Sequence, residues 1–459
     1  MMYRALVENI PVETVGTIAE SASSHRVAEL LGCAIYYSLL VLIATVAIPY
    51  GTVEPWWEAV FECMVFLLTA ASLVEGWVTG LWRVSCWPVL LPIIGLIVFA
   101  YLQTLPLFGS TTISADPFNT QRFALKLLSL ALVGVLLLRY TSSLRRLRTL
   151  VYVVIGVAVS SAIFGLLRQT IQGGASDFIL PYLPPWAGYG QFINRNHFAF
   201  LMELGLGLTL GLMVGRKRWL IGMALSLPLW MALVLSNSRG GIFSMLCQVL
   251  FVALLCSRSA AQELVNQRQS LFHRSKRVVL TACLLAVIVG GTVWVGGDPL
   301  INRLETTVSE VSDHQAALLG GIRRTEVWAA SWTLGKAHWL AGVGFGGYWS
   351  AIPQYHQASG KLVPQEAHND YLELLASGGL IGCALTAWFV IAFLYRARRS
   401  LLEDCEPMQR AARLGSLAAL FAVAVHSIFD FGLHVTINAL LVTALAVITI
   451  TNRLPNNHN

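Results

Sequence analysis

The residues able to do chemistry in this chain are few, and several lie in one polar stretch. Arg323 and Arg324 form a basic pair, Gly342-Val343-Gly344-Phe345-Gly346-Gly347 makes a glycine-rich turn, and Ala367-His368-Asn369-Asp370-Tyr371 follows. A guanidinium offers a planar fork of donors that matches phosphate oxygens and stays charged at any relevant pH. An imidazole can accept a proton near neutrality. Held outside a bilayer, this set suggests chemistry on an anionic, lipid-linked substrate.

Other polar groups interrupt apolar runs elsewhere. Arg195 sits in Asn194-Arg195-Asn196-His197, and Arg239 in Ser236-Asn237-Ser238-Arg239-Gly240-Gly241. A charge at a membrane edge is costly unless it is paired or useful. Each arginine alone also reads as an interface anchor or a structural ion pair. Three of them outside the membrane, each beside Gly, Asn or Trp, weaken that plainer reading. Asn369 or Asp370 can cap a helix, which fixes the His368 imidazole at the rim of the apolar run that follows. His426 and His434 flank Asp430, and either form a second wall of the same cavity or hold helices together.

The elements that position these groups are read from hydropathy. The chain is 56% hydrophobic and 12% charged, with mean hydropathy +0.66, where soluble domains carry about a quarter charged residues. Apolar runs near the ~20 residues that cross a bilayer occur at 30–49, 57–76, 88–108, 124–138, 150–167, 197–214, 219–235, 242–256, 278–296, 374–394, 414–429 and 435–450. The expectation is an all-α integral membrane protein with about twelve transmembrane helices and a mostly helical outer layer. Residues 1–26 carry Glu8, Glu13, Glu20 and Arg26 and do not read as a cleaved signal peptide.

Orientation follows from the cations, because short basic loops stay in the cytoplasm. With both termini inside, twenty-one of the thirty-one Lys and Arg fall on the inner side. The remaining ten are Arg122, Lys126, Arg168, Arg195, Arg239, Arg303, Arg323, Arg324, Lys336 and Lys361. The net charge of +7 is therefore mainly a topology signal, with attraction to anionic membrane lipids added, and not a sign of nucleic-acid binding. All eight cysteines fall in apolar runs or inner loops, so neither a disulfide framework nor zinc spacing is expected.

Three outer loops, 109–123, 168–196 and 297–373, exceed simple connectors. In the last, Arg303–Leu319 and Arg324–Lys336 can each be helical, with Trp328 and Trp332 on one face. That face either lies at the membrane interface or forms the core of a small packed lid. The glycine-rich turn follows a helix rather than a strand, so it fails the dinucleotide context test. It reads instead as a tight re-entrant turn whose exposed amides donate to a phosphate or sugar oxygen.

Taken in order, Asn194-Arg195-Asn196-His197-Phe198-Ala199, Ser236–Gly241, Arg324-x-x-x-Trp328 with Gly342–Gly346, His368–Leu372 with Gly378-Gly379, and Asp430–His434 resemble the O-antigen ligase and polymerase superfamily. The likeness covers roughly residues 190–440; residues 1–150 match only in being hydrophobic spans. It implies a GT-C-like glycosyltransferase of a bacterial inner membrane, acting at the periplasmic face without metal or cofactor. The donor would be an undecaprenyl-diphosphate-linked glycan and the acceptor lipid A-core or another glycan. The family's essential residues would fall on Arg239, Arg324 and His368. Substrate contacts are expected from Asn194, Arg195, Asn196, His197, Arg323, Gly344, Asn369, Asp370, Tyr371, Asp430 and His434. The outer loop favours a ligase, with a polymerase as the alternative. A division into N-terminal helices at 1–190 and a ligase-like region at 191–459 is expected.

Two other classes fit less well. A transporter or flippase should place its charges near the midplane and show internal repeats, but only Glu62, Glu75 and Glu203 are intramembrane candidates. A sensor or scaffold would explain the outer loop without catalysis.

Overall fold

A computed structural model describes residues 12–82, 86–106, 112–171, 188–215, 219–264, 324–356 and 364–454. Among them every extended element is a helix. In chain order these are α1 (Val12–Val46), α2 (Pro55–Thr79), α3 (Trp87–Gln103), α4 (Pro117–Tyr140), α5 (Leu144–Ile171), α6 (Arg195–Gly215), α7 (Trp219–Leu235), α8 (Arg239–Leu264), α9 (Arg324–Ala337), α10 (Tyr348–Ala351), α11 (Asp370–Leu402), α12 (Pro407–His426) and α13 (Thr436–Ile450). Seven are long and apolar enough to cross a membrane, and α3, α7, the apolar part of α8 and α13 are shorter apolar helices. The expected all-α membrane fold is thus observed. The expected span 278–296 and helix Arg303–Leu319 lie outside the described residues.

The bundle is built around α6. Its glycines let backbones approach: a methyl group added at Gly207 would lie 2.5 Å from Ala419 Cβ, and one at Gly211 would lie 2.4 Å from Gly415 Cα. This Gly-x-x-x-Gly stripe seats α12 in van der Waals contact, the packing that drives helix association where lipid removes the hydrophobic incentive. Ala158 of α5 meets Gly205 in the same way. Leu, Val and Ile exposed on the outer helices are the surface expected of a bundle solvated by lipid.

The connecting segments gather on one face. Gln191 Nε2 donates to Ala47 O at 3.3 Å, Thr436 Oγ1 to Thr52 O at 2.7 Å, and Ala115 N to Val343 O at 2.8 Å. Ile437 N also reaches Gly51 O at 3.2 Å. Helices outside the 190–440 region therefore brace the loops that carry its polar residues. Gln103, fully buried at the end of α3, donates to Ala341 O at 2.7 Å and Ser377 O at 3.0 Å, and accepts from Phe345 N at 3.2 Å.

That bracing explains a break in α11. Gly379 sits at φ 58, ψ −159 inside the helix, a region open essentially to glycine. The amides freed by the break donate to the loop after α9: Leu380 N to Trp339 O at 2.7 Å and Ile381 N to Leu340 O at 3.1 Å. The run after His368 thus enters the membrane through a kink. Gly379→Ala adds a methyl group 2.6 Å from Ala341 N and Gly342 N, on top of strain of about 1–3 kcal/mol. Its thermal unfolding midpoint in detergent should fall accordingly, and an unchanged midpoint would contradict this reading of the kink.

α9 and α10 form the small layer over this face. Its core is Ala330, Leu334, Val343, Tyr348, Ala351, Ile352, Ala367 and Ala376. Trp332, Trp339 and Trp349 are exposed while Trp328 is half-buried, and among the described residues no tryptophan belongs to this core. The structure favours the interfacial alternative, since large aromatic faces turned outward suit a headgroup layer.

Candidate active site

His368 stands immediately before α11 in a left-handed conformation, φ 49, unusual for a residue with a Cβ. The backbone turns there because Asn369 is the N-cap: its Oδ1 accepts from Tyr371 N and Leu372 N, each at 3.0 Å. Asp370 plays a different part, its N donating to Ser427 O at 2.9 Å, which ties the start of α11 to the turn after α12. Tyr371 Oη donates to Ala424 O at 2.7 Å and reinforces the same joint.

That turn delivers Asp430, whose residue is 1% exposed. Its carboxylate accepts from Phe431 N at 2.9 Å and from Asn196 Nδ2, and lies 3.4 Å from His368 Nδ1. The carboxylate meets the imidazole on its Nδ1 side. A proton on Nδ1 then leaves the Nε2 lone pair to act as a base. Asn194 supports Asn196 from below, capping α6 by accepting from Asn196 N at 2.9 Å. His197 Nε2 lies 3.9 Å from Asp430 Oδ1, so two imidazoles border one carboxylate.

Phe431 is the hub of these rings. Its centroid lies 4.7 Å from His197, 4.9 Å from His368 and 5.6 Å from His434, each nearly edge to face. The Asp430–His434 motif contains Phe431, but a phenylalanine there does not by itself reveal which rings it meets.

His434 occupies a second cluster. Its Nδ1 lies 3.4 Å from Glu366 Oε1 and its Nε2 3.2 Å from Glu373 Oε1, with Asp370 Oδ1 3.9 Å away. Burial opposes a charge on the imidazole, but the Glu366 and Glu373 carboxylates outweigh it and raise its pKa to about 10. Glu366 is held below the ordinary carboxylate range by His434 despite its own burial. His434 therefore stabilises the fold fully below its ordinary 6.5, and that contribution is lost as pH rises through about 10. Glu366, Glu373 and His434 each offer one ligand atom within 4.8 Å of one another. A divalent ion would fit such a donor set, but both imidazole nitrogens already face carboxylates, the arrangement of an imidazolium bridging two glutamates. Neither glutamate was anticipated, because nothing in the spacing ties 366 and 373 to 434.

Two arginines stand at helix starts beside the Asp430 turn. Arg195 opens α6, Arg239 opens α8 and Arg324 opens α9; Arg195 and Arg239 are exposed. Arg239 follows Ser238, whose buried Oγ accepts from Gly241 N at 3.1 Å as an N-cap. Phe243 of α8 packs edge-on against Phe429 at 5.8 Å, bringing the start of α8 beside the Asp430 turn. Arg323 lies outside the described residues.

The glycine-rich turn departs from expectation. Its amides are taken by protein carbonyls: Gly342 N by His338 O, Val343 N by Ala376 O, Gly344 N by Ser377 O and Gly347 N by Gly344 O, while Phe345 N goes to Gln103. Gly344 packs against Ser114, with room for no Cβ. The turn is a structural staple between α3 and α11, not a cradle of exposed amides. Glycine is needed there for close approach.

Rim arginines, a capped histidine and a buried carboxylate now stand on one face of a membrane bundle. Residues 221–387 match the O-antigen ligase family model. No curated protein matches the chain. The O-antigen ligase match supports glycan transfer of the ligase or polymerase type in a multi-pass membrane protein. It covers Arg239, Arg324, Gly344 and His368–Tyr371. Asn194–His197 and Asp430–His434 lie outside the matched stretch, and the fold brings them to His368.

Proposed function

We propose that the chain transfers a glycan from undecaprenyl diphosphate to an acceptor hydroxyl at the periplasmic face, most simply as an O-antigen ligase joining O-antigen to lipid A-core. The observation that carries this reading is the His368–Asp430–Asn196 arrangement beside the helix starts that carry Arg195 and Arg239. His368 Nε2 takes the acceptor proton as the acceptor oxygen attacks the anomeric carbon. The bond from that carbon to the diphosphate oxygen breaks, and the diphosphate leaves with the electron pair. Arg239 and Arg324 meet the charge that builds on it, a contribution often the largest in such sites. A single displacement inverts the anomeric configuration.

The lipopolysaccharide profile of a deletion strain tests the role. O-antigen left on its lipid carrier supports a ligase, caps of a single repeat indicate the polymerase alternative, and an unchanged profile counts against both. Orientation has its own test. Cysteine at exposed Ser350 should react with an impermeant thiol reagent in spheroplasts, whereas native Cys405, between α11 and α12, should not. Labelling of Cys405 alone would turn the bundle over and remove the periplasmic site.

A further inference from the structure

We propose that the buried Glu203–His426 pair is a positioning device that couples the rim arginine Arg239 to the base His368. Glu203 lies on α6, eight residues and therefore about 12 Å from its start, and is fully buried; His426 ends α12 and is 1% exposed. Their side chains meet at 2.8 Å, Glu203 Oε1 to His426 Nδ1. A carboxyl and an imidazole inside a membrane bundle are expensive and are kept where they do something. The transfer reaction proposed above does not use them.

Three elements of the site meet on this pair. α6 carries it, and α6 begins with Arg195, Asn196 and His197. α8 stands on it through two glycines next to Arg239: an added methyl at Gly240 would lie 3.0 Å from His426 Nε2, and one at Gly241 3.3 Å from Glu203 Oε1. α12 ends in it, and the backbone leaving His426 is immediately hydrogen bonded, Asp430 N to His426 O at 3.1 Å. From there Ser427 O accepts Asp370 N and Asp430 reaches His368. A shift of the His426 ring thus moves the α8 start on one side and the Asp430 turn on the other. A 1 Å misplacement of catalytic groups can cost about a hundredfold in rate.

Given the proposed transfer, the test measures kcat and donor KM in purified full-length variants whose folding is checked by thermal melts. Glu203→Leu and His426→Leu should lower kcat on the order of tenfold or more. Glu203→Gln should restore most of it, because the amide oxygen accepts the same N–H, and His426→Asn should do so through its amide N–H. In a double-mutant cycle, Glu203→Leu should cost much less on an Asp430→Asn background, since the pair acts through that turn. A merely structural pair would give additive losses. Folded Glu203→Leu with wild-type kcat overturns the inference, as does additivity with Asp430→Asn. Should the leucine variants fail to fold, Gly240→Ala, which leaves both polar groups and presses on His426, must lower kcat; a normal kcat there also overturns it. His368→Ala is the control: normal transfer by that variant sinks the transfer reading itself, whereas its loss beside normal Glu203→Leu turnover sinks only the pair's role.

Discussion

His368→Ala should abolish glycan transfer while leaving lipid-diphosphate binding nearly intact. The imidazole is the group placed to take the acceptor proton, and general-base catalysis contributes about 10²–10⁴-fold; the donor diphosphate is held by other residues. Asp430→Asn is the companion variant. It keeps the size of the side chain but no longer favours the Nδ1–H tautomer, so kcat should fall by a good part of that factor with donor KM little changed. Binding titration of the lipid diphosphate alongside single-turnover transfer separates the two effects. A His368→Ala protein with wild-type turnover would remove the base role from His368.

Replacement of Arg239 or Arg324 by lysine should lower turnover on the order of a hundredfold or more, the loss expected for one charge-stabilising donor. Lysine keeps the charge but not the paired donors of the guanidinium fork. The loss should fall on kcat and kcat/KM together, because the diphosphate carries most charge in the transition state. Normal turnover in Arg324→Lys would reduce the arginines to anchors of the helices they open.

Which of these features the sequence made legible depends on the range of the interaction. Helices follow local composition, so α7 and α8 with the short turn at Ser236–Ser238 emerge from hydropathy alone. The N-cap before α11 is also local, although the structure had to choose Asn369 over Asp370. The glycine-rich turn differs from its expected role because its amides find partners on α3 and α11, and Gln103 lies more than two hundred residues away from Phe345. The Gly379 break depends on carbonyls from the loop after α9, which no window around 379 contains. Likewise His426 and His434 look alike beside Asp430 in sequence, yet one points to a carboxyl inside the bundle and the other bridges two glutamates at the rim. Asn196, Asp430 and His368 come from three separate segments, and only packing of α6, α11 and α12 joins them.

The account turns on whether the purified chain moves a glycan from a lipid diphosphate with its own side chains. Undecaprenyl-diphosphate-linked glycan and an acceptor saccharide lipid, incubated with the protein in EDTA, should yield the acceptor–glycan adduct and free undecaprenyl diphosphate in equal amounts, with the anomeric configuration inverted, from wild-type protein but not from His368→Ala. Adduct formed equally by both proteins, or formed only when a divalent ion is restored, would contradict it.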